Sequence, residues 1–431
     1  MKLISKRKLL GIFLVLMGTS PLVLALDNAH FYKPANFEGI RSHDTADWVN
    51  KTNLRLGYGS TRSGYNYKSN KTSLLDIYGN QNLLYLITNV PQKSGQAVTE
   101  HLTNLAKLSN HSQTNSDFGN LKFSGKFTLL EGNIDIRQNL VEGFFIEGHL
   151  PIRKVKVENI SYDDLSPTTG RYSQTTGEWI QLKQQLNNLL NIYGLKNYET
   201  VYDKTGLGDL SFSIGWQYED KNTFEFLQFL SIAIRLGLLI PTGKKADTSY
   251  AFPIPTGYNG HWGLPINLDL NIGAADWLTI GLYGGVQFFF DKTYNNRMKT
   301  NKNQSGFIKL AEGDAKVDKG TLWDFGADLL FDHFFRGLSA LAGYSFNSKE
   351  SDSLTPSNTT EFSSSILDSD TAYYTWKQHI IHLMVEYDFG VHLKDKMWGA
   401  RINAFFDFPI GGKNIFATSM YTGGIELDFQ F

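Results

Sequence analysis

The chain has 431 residues, no cysteine, and 41 basic against 42 acidic side chains, for a formal charge of −1. That balance excludes the basic character expected of a nucleic-acid binder. The missing cysteines exclude a disulfide framework and thiolate metal sites.

The chain begins with Lys2, Lys6, Arg7 and Lys8 followed by a largely apolar run from Leu9 to Leu24. This is the layout of a secretory signal peptide. The run is broken by Gly18, Thr19, Ser20 and Pro21, and so falls short of the about 20 apolar residues that a transmembrane helix needs. Val23 and Ala25 place the expected cleavage after Ala25, giving a signal peptide over 1–25. Its removal leaves 37 basic against 42 acidic residues, a charge of −5. Residues 26–47 are expected to be a periplasmic segment or a short plug.

From the middle of the chain to its end, apolar residues recur with period two, the mark of strands with two unlike faces. Leu210, Phe212, Ile214, Trp216 and Tyr218 share one face against Asp209, Ser211, Ser213, Gln217 and Glu219. Ile425, Leu427, Phe429 and Phe431 oppose Glu426, Asp428 and Gln430. Short turns, near 138–143, 219–223, 273–276, 333–337 and 392–396, alternate with long polar connections, as in membrane barrels with periplasmic turns and extracellular loops. Tryptophans fall at the strand ends: Trp216, Trp277 and Trp398 beside short turns, Trp262, Trp323 and Trp376 beside long loops. Indoles prefer the membrane interface.

The expectation is an all-β, antiparallel, up-and-down transmembrane barrel over 48–431, in the cell outer membrane. Strands are predicted near Asn53, Asn120, Glu142, Gly208, Phe226, Gly263, Trp277, Thr321, Leu338, Trp376, Met397 and Met420, about twelve in all. Leu74 to Val90 could supply two more and make fourteen. The connections 61–117 and 161–204 read as loop insertions carrying one or two short helices. Trp179, Leu182, Leu186, Leu189 and Tyr193 recur at helical spacing, and Ala97 to Leu108 is a weaker candidate. The aromatic end, with Phe429 and Phe431, looks like the assembly signal by which such barrels reach their assembly machinery.

The inward faces then receive Arg55, Glu147, His149, Arg153, Asp209, Arg235, Asp269, Asp324, Asp328, His382, Glu386, Arg401, Asp407, Glu426 and Asp428. With Asp388, Lys122 and Lys126 added to that set, acidic residues still outnumber basic ones, so an open pore should favour cations. The alternative is that charges pair across a narrow barrel and fill it. Catalytic constellations are weak. His261 in Asn-Gly-His-Trp-Gly lacks a serine at hydrolase spacing and reads as an interfacial side chain. The acidic pairs Asp163 with Asp164 and Asp368 with Asp370 read as solvated loop residues. No phosphate loop, HExxH zinc motif or calcium loop occurs. No enzyme activity, metal or cofactor is expected; the expected partners are membrane lipid, the assembly machinery and a small solute.

Thr205-Gly-Leu-Gly-Asp-Leu-Ser, followed by Arg235-Leu-Gly-Leu-Leu-Ile-Pro-Thr-Gly-Lys244, resembles the transporter family named for the MetA pathway of phenol degradation, over about residues 205 to 431. FadL-like transporters, with fourteen strands and an amino-terminal plug, are the related alternative. The resemblance implies an outer-membrane channel for small, hydrophobic or aromatic molecules. A structural or adhesive barrel with a filled lumen is the rival, and a rim hydrolase a distant third.

Overall fold

The computed structural model describes residues 47–91, 117–221, 227–392 and 398–430. The expected signal peptide, most of the 26–47 segment, the helix candidate at 97–108 and Phe431 lie outside them. Twelve long strands form one antiparallel ring. They are β1 Val49–Thr61, β2 Asn120–Asn139, β3 Phe144–Asp164, β4 Leu210–Asp220, β5 Phe229–Ile240 and β6 Gly263–Ala275. The ring continues with β7 Leu278–Phe289, β8 Leu322–Phe335, β9 Leu338–Lys349, β10 Trp376–Asp388, β11 Trp398–Lys413 and β12 Ser419–Gln430.

Each strand pairs with its sequence neighbours, and β12 returns to β1 with Val49 opposite Gln430 and Ser60 opposite Ser419. Closure follows from the solvent. An open edge would leave backbone donors and acceptors unpaired in hydrocarbon, at several kcal/mol each. Outward positions are aliphatic and exposed, among them Leu54, Ile136, Ile214, Leu236, Leu268, Leu329 and Ile402. Aromatic residues border this band, with Trp48, Trp216, Trp277 and Trp398 at the turn end and Trp262, Phe288 and Phe325 at the loop end. A closed ring with such a face is a membrane-spanning barrel of the outer-membrane kind.

A span needs about 9–11 residues per strand, whereas β2 and β3 have 20 and 21. Their upper halves therefore project beyond the band, and their polarity inverts there. Low on β2, Ile134 and Ile136 face out while Asp135 and Arg137 face in; higher up, Lys126 faces out while Phe123, Phe127 and Leu129 are buried inside. On β3, Ile152 faces out below Lys154 and Lys156, and Val155 and Val157 face in. The period stays two while the apolar face changes sides, because the outer medium changes from lipid to water.

Residues 74–90 add no further long strand to the ring; Gln81 and Asn82 alone pair briefly with the top of β2. Leu74–Asp76 is a 3-10 turn and Leu83–Leu86 a short helix. Asn82 caps that helix by accepting from Leu84 N at 3.0 Å and Tyr85 N at 3.1 Å. Leucines packed on every side, behind a capping asparagine, favour a buried turn over a two-faced strand. The helical spacing around Trp179 does form helices, Gly177–Gln184 and Leu186–Ile192, whose stripe of Trp179, Leu182, Leu186, Leu189 and Tyr193 is buried. Trp376 departs from the girdle expectation: it is fully buried, packed with Leu239, Tyr258, Leu322 and Ile415.

Candidate functional site

The polar interior is built by register. Because β2 and β3 pair with Glu131 opposite Arg153, Asp135 opposite His149 and Arg137 opposite Glu147, unlike charges meet directly across strands. Arg153 Nε donates to Glu131 Oε2 at 2.5 Å, and Arg137 Nη1 to Glu147 Oε1 at 3.3 Å. Asp135 also takes Arg55 Nη2 of β1 at 2.5 Å, beside His149 Nδ1 at 2.5 Å. Arg235 on β5 links Glu147 at 2.9 Å to Asp269 on β6. Across the ring, Arg401 on β11 joins Asp388 of β10 at 3.2 Å with Glu426 and Asp428 of β12 at 2.5 and 3.0 Å.

These pairs run sideways along the wall between near strands. Inward glycines make room for them: a β-carbon at Gly285 would overlap the Asp324 and Asn267 side chains, one at Gly281 that of Asp328, and one at Gly424 those of Asn403 and Arg55. These side chains thus lie over the glycines of the neighbouring strands.

Arg55, Glu147, His149, Arg153, Arg235, Asp269, Asp324, Asp328, His382, Glu386, Arg401, Asp407, Glu426 and Asp428 all lie on the inner face of their strands, and Asp209 sits at its upper rim. Sequence reading missed Lys51, Glu131, Asp135 and Arg137, which are buried inside. It also placed Lys122 and Lys126 in the lumen, whereas they face out; Lys126 pairs with Glu158 at 3.8 Å. The inversion of β2 explains the errors at Lys122, Lys126, Glu131, Asp135 and Arg137, since the face that carries lysine above the membrane carries isoleucine within it; Lys51 lies on β1.

One relay has the connectivity of a nucleophilic triad. His382 Nε2 lies 2.8 Å from Ser345 Oγ, and its Nδ1 lies 2.7 Å from Asp407 Oδ1. A nucleophile must reach its substrate, yet Ser345 is 0% and His382 1% exposed. The relay therefore braces β9, β10 and β11.

Above the charged belt, the tops of β2 and β3 and the long loops form an apolar dome. Its aromatic part includes Phe118, Phe123, Phe127, Trp179, Phe252 and Phe416, with Phe307 packed against it. The Trp179 ring lies 5.7 Å from Phe118, and its indole N–H donates to Asp164 Oδ2 at 2.8 Å. Asp164 also receives Lys183 at 2.6 Å, and Asp370 is buried against Lys309. One member of each loop acidic pair is thus a structural anchor, not a solvated residue. His261 is buried too, 2.9 Å from the Phe290 carbonyl, and not interfacial. Burial lowers its pKa. Phe429 is exposed on the outer face of β12.

No protein-family model and no curated relative matches the chain. Solved structures of similar shape include an outer membrane channel from Pseudomonas putida F1, with TM-score 0.46 and 9% identity, over 93% of this chain and 100% of that one. The toluene transporter TodX of Pseudomonas putida aligns with TM-score 0.30 and 11% identity over 95% and 96%. The translocator domain of the autotransporter NalP from Neisseria meningitidis aligns with TM-score 0.31 and 8% identity over 90% and 89%. Channels and translocators stand side by side at these scores, so the assignment of a barrel rests on the chain's own strand ring.

Proposed function

We propose that this barrel is a passive channel for small molecules, with hydrophobic or aromatic compounds as its preferred solutes. The observation that carries the reading is the sideways pairing of the wall charges between neighbouring strands, with Asp324, Asp328 and Arg55 lying over inward glycines. The dome's aromatic rings are packed into its own core, so the solute class rests on the resemblance of the glycine motifs. The glycine motifs at 205–211 and 235–244 support kinship with the phenol-pathway transporters, or with FadL-like ones. Residues 26–47 serve in this reading as a periplasmic segment or short plug, and Phe431 completes the signal read by the assembly machinery.

A second reading, a structural barrel with a filled lumen, is favoured by the near-complete burial of Glu131, Arg137 and Asp269. Planar-bilayer recording of the purified, heat-modifiable protein separates the two. Discrete conductance steps are expected, and a silent bilayer over the full voltage range would give the structural reading the field.

A further inference from the structure

On the lipid side of the wall, where β12, β1, β2 and β3 meet, lies a groove of about 400 Å³ lined by Leu54, Leu56, Gly132, Ile134, Ile152, Gly423 and Ile425, among others. It owes its depth to two missing side chains. Leu56 stands between Gly423 and Gly132 in register, and Gly132 faces Ile152. At both glycines the outward space is open: a β-carbon would meet its nearest atom at 3.9 Å at Gly132 and at 4.0 Å at Gly423.

The row above the groove runs Tyr421, Tyr58, Leu130 and Lys154. The two tyrosines are exposed, as expected of residues at the loop-side membrane interface. Lys154 and then Lys156 rise from Ile152 on the same outward face, each step adding about 7 Å along the strand. Lys126 stands beside them. Their partners are carboxylates at the surface: Lys154 with Asp203 at 3.3 Å, Lys156 with Glu158 at 2.5 Å, and Lys126 with the same Glu158 at 3.8 Å. Lys126 and Lys156 share one carboxylate, and exposed pairs of this kind hold weakly. A phosphate can therefore recruit these ammonium groups at little cost.

We propose that this seam is a binding site for a phosphorylated lipid of the outer leaflet, with its phosphate on Lys154, Lys156 and Lys126 and one acyl chain in the glycine groove below. Within a bilayer the groove gains nothing from the hydrophobic effect, since its competitor is another acyl chain; its contribution is shape complementarity. The lysines supply the selection for phosphate. The proposal is independent of what passes through the lumen.

The test is retention of diphosphoryl lipid A by the full-length protein in detergent, read by native mass spectrometry against the enzymatically dephosphorylated lipid. Retention of the phosphorylated form is expected to exceed the other by tenfold or more, and Lys154→Glu with Lys156→Glu should abolish that preference. Lys377→Glu, on the outer face of distant β10, should leave it unchanged. Gly132→Leu should lower retention of both lipids by filling the groove, and its open outward space makes that variant compatible with folding. Equal retention of both lipids, insensitivity to the lysine pair, or a dimer that Gly132→Leu dissolves would overturn the proposal, the last by giving the groove to a second copy of the chain. Heat-modifiable migration of each variant verifies that the barrel has formed.

Discussion

Asp209 Oδ1 accepts the backbone N–H of Gly243 at 2.8 Å, tying the residue that opens β4 to the loop that leaves β5. The reverse clasp is made by Thr242, whose hydroxyl donates to the Gly208 carbonyl at 2.6 Å and accepts from Leu210 N at 3.0 Å. The Gly-Asp-Leu and Pro-Thr-Gly motifs are thus two halves of one rim clasp. Tyr258 N also donates to Asp209, which brings the following loop into it.

Asp209→Ala should leave the Gly243 and Tyr258 amides without their acceptor, at about 1–3 kcal/mol for the buried Tyr258 donor. The damage should stay at the rim: tryptic cleavage at Lys244 and Lys245 accelerates while the barrel keeps its heat-modifiable migration. Gly257→Ala should act in the same direction, since its β-carbon would overlap the Asp209 carboxylate. Unaltered cleavage in both variants would mean that the clasp contributes nothing.

Trp179→Ala removes a fully buried indole and its bond to Asp164. Large-to-small changes of this kind cost about 3–5 kcal/mol. Because the residue belongs to the dome and not to the ring, protease sensitivity around Lys183 should rise while strand content by circular dichroism is preserved. Loss of strand content would show that the barrel depends on the dome to fold.

Lys319 gives the dome a pH dependence. Burial pushes its ammonium pKa down to about 7, partly countered by Asp352. Between about 7 and the ordinary 10.5 the unfolded dome binds a proton that the folded one does not. Stability therefore rises with pH through that window, by at most about 1.4 kcal/mol per unit, and the full penalty is present below it. Loop proteolysis in micelles should slow between pH 7 and pH 9, and Lys319→Met should flatten the slope. A slope of opposite sign would contradict the assignment.

The ring was readable from the chain because alternation, turns and girdles are local, and the predicted strand starts fall within a few residues of those of β2 to β12. The faces of β2 were not, for a physical reason. A period of two tells which residues share a face, but which face points inward depends on the outer medium, and that changes near Leu130. The reversal is itself written in the sequence, as Lys122, Lys126, then Leu130, Ile134, Ile136 on one parity. Which charge meets which needed the register. Ser345, His382 and Asp407 lie on three strands, and no spacing announces their contact.

The buried relay makes its own prediction. A serine-reactive fluorophosphonate should not label Ser345 in the folded protein, and Ser345→Ala should leave lipid and peptide ester hydrolysis at the blank rate. His382→Ala should still destabilise the barrel, because Ser345 and Asp407 lose their shared partner in a buried site. Stoichiometric labelling that disappears in Ser345→Ala would instead establish a nucleophile.

Selectivity is the sharpest test of the wall. Moving Lys122 and Lys126 outside and bringing in Lys51, Arg137, Glu131 and Asp135 leaves the inner face with more carboxylates than cations. Several carboxylates share one cation, as Asp388, Glu426 and Asp428 share Arg401, so the field in the path comes from the excess. Asp328 lies over Gly281 and has no ion-pair partner among the described residues. A low-dielectric wall focuses its charge into the aqueous path, so the open pore should prefer cations. Under a salt gradient the reversal potential should take the cation sign and shrink as salt rises, since the Debye length falls from about 10 Å at 0.1 M to about 3 Å at 1 M. Asp328→Asn should reduce the preference at low salt, whereas Lys126→Gln, outside the barrel, should not change it. An anion-selective reversal potential, or one that responds to Lys126 and ignores Asp328, would place the conducting path somewhere other than along this wall.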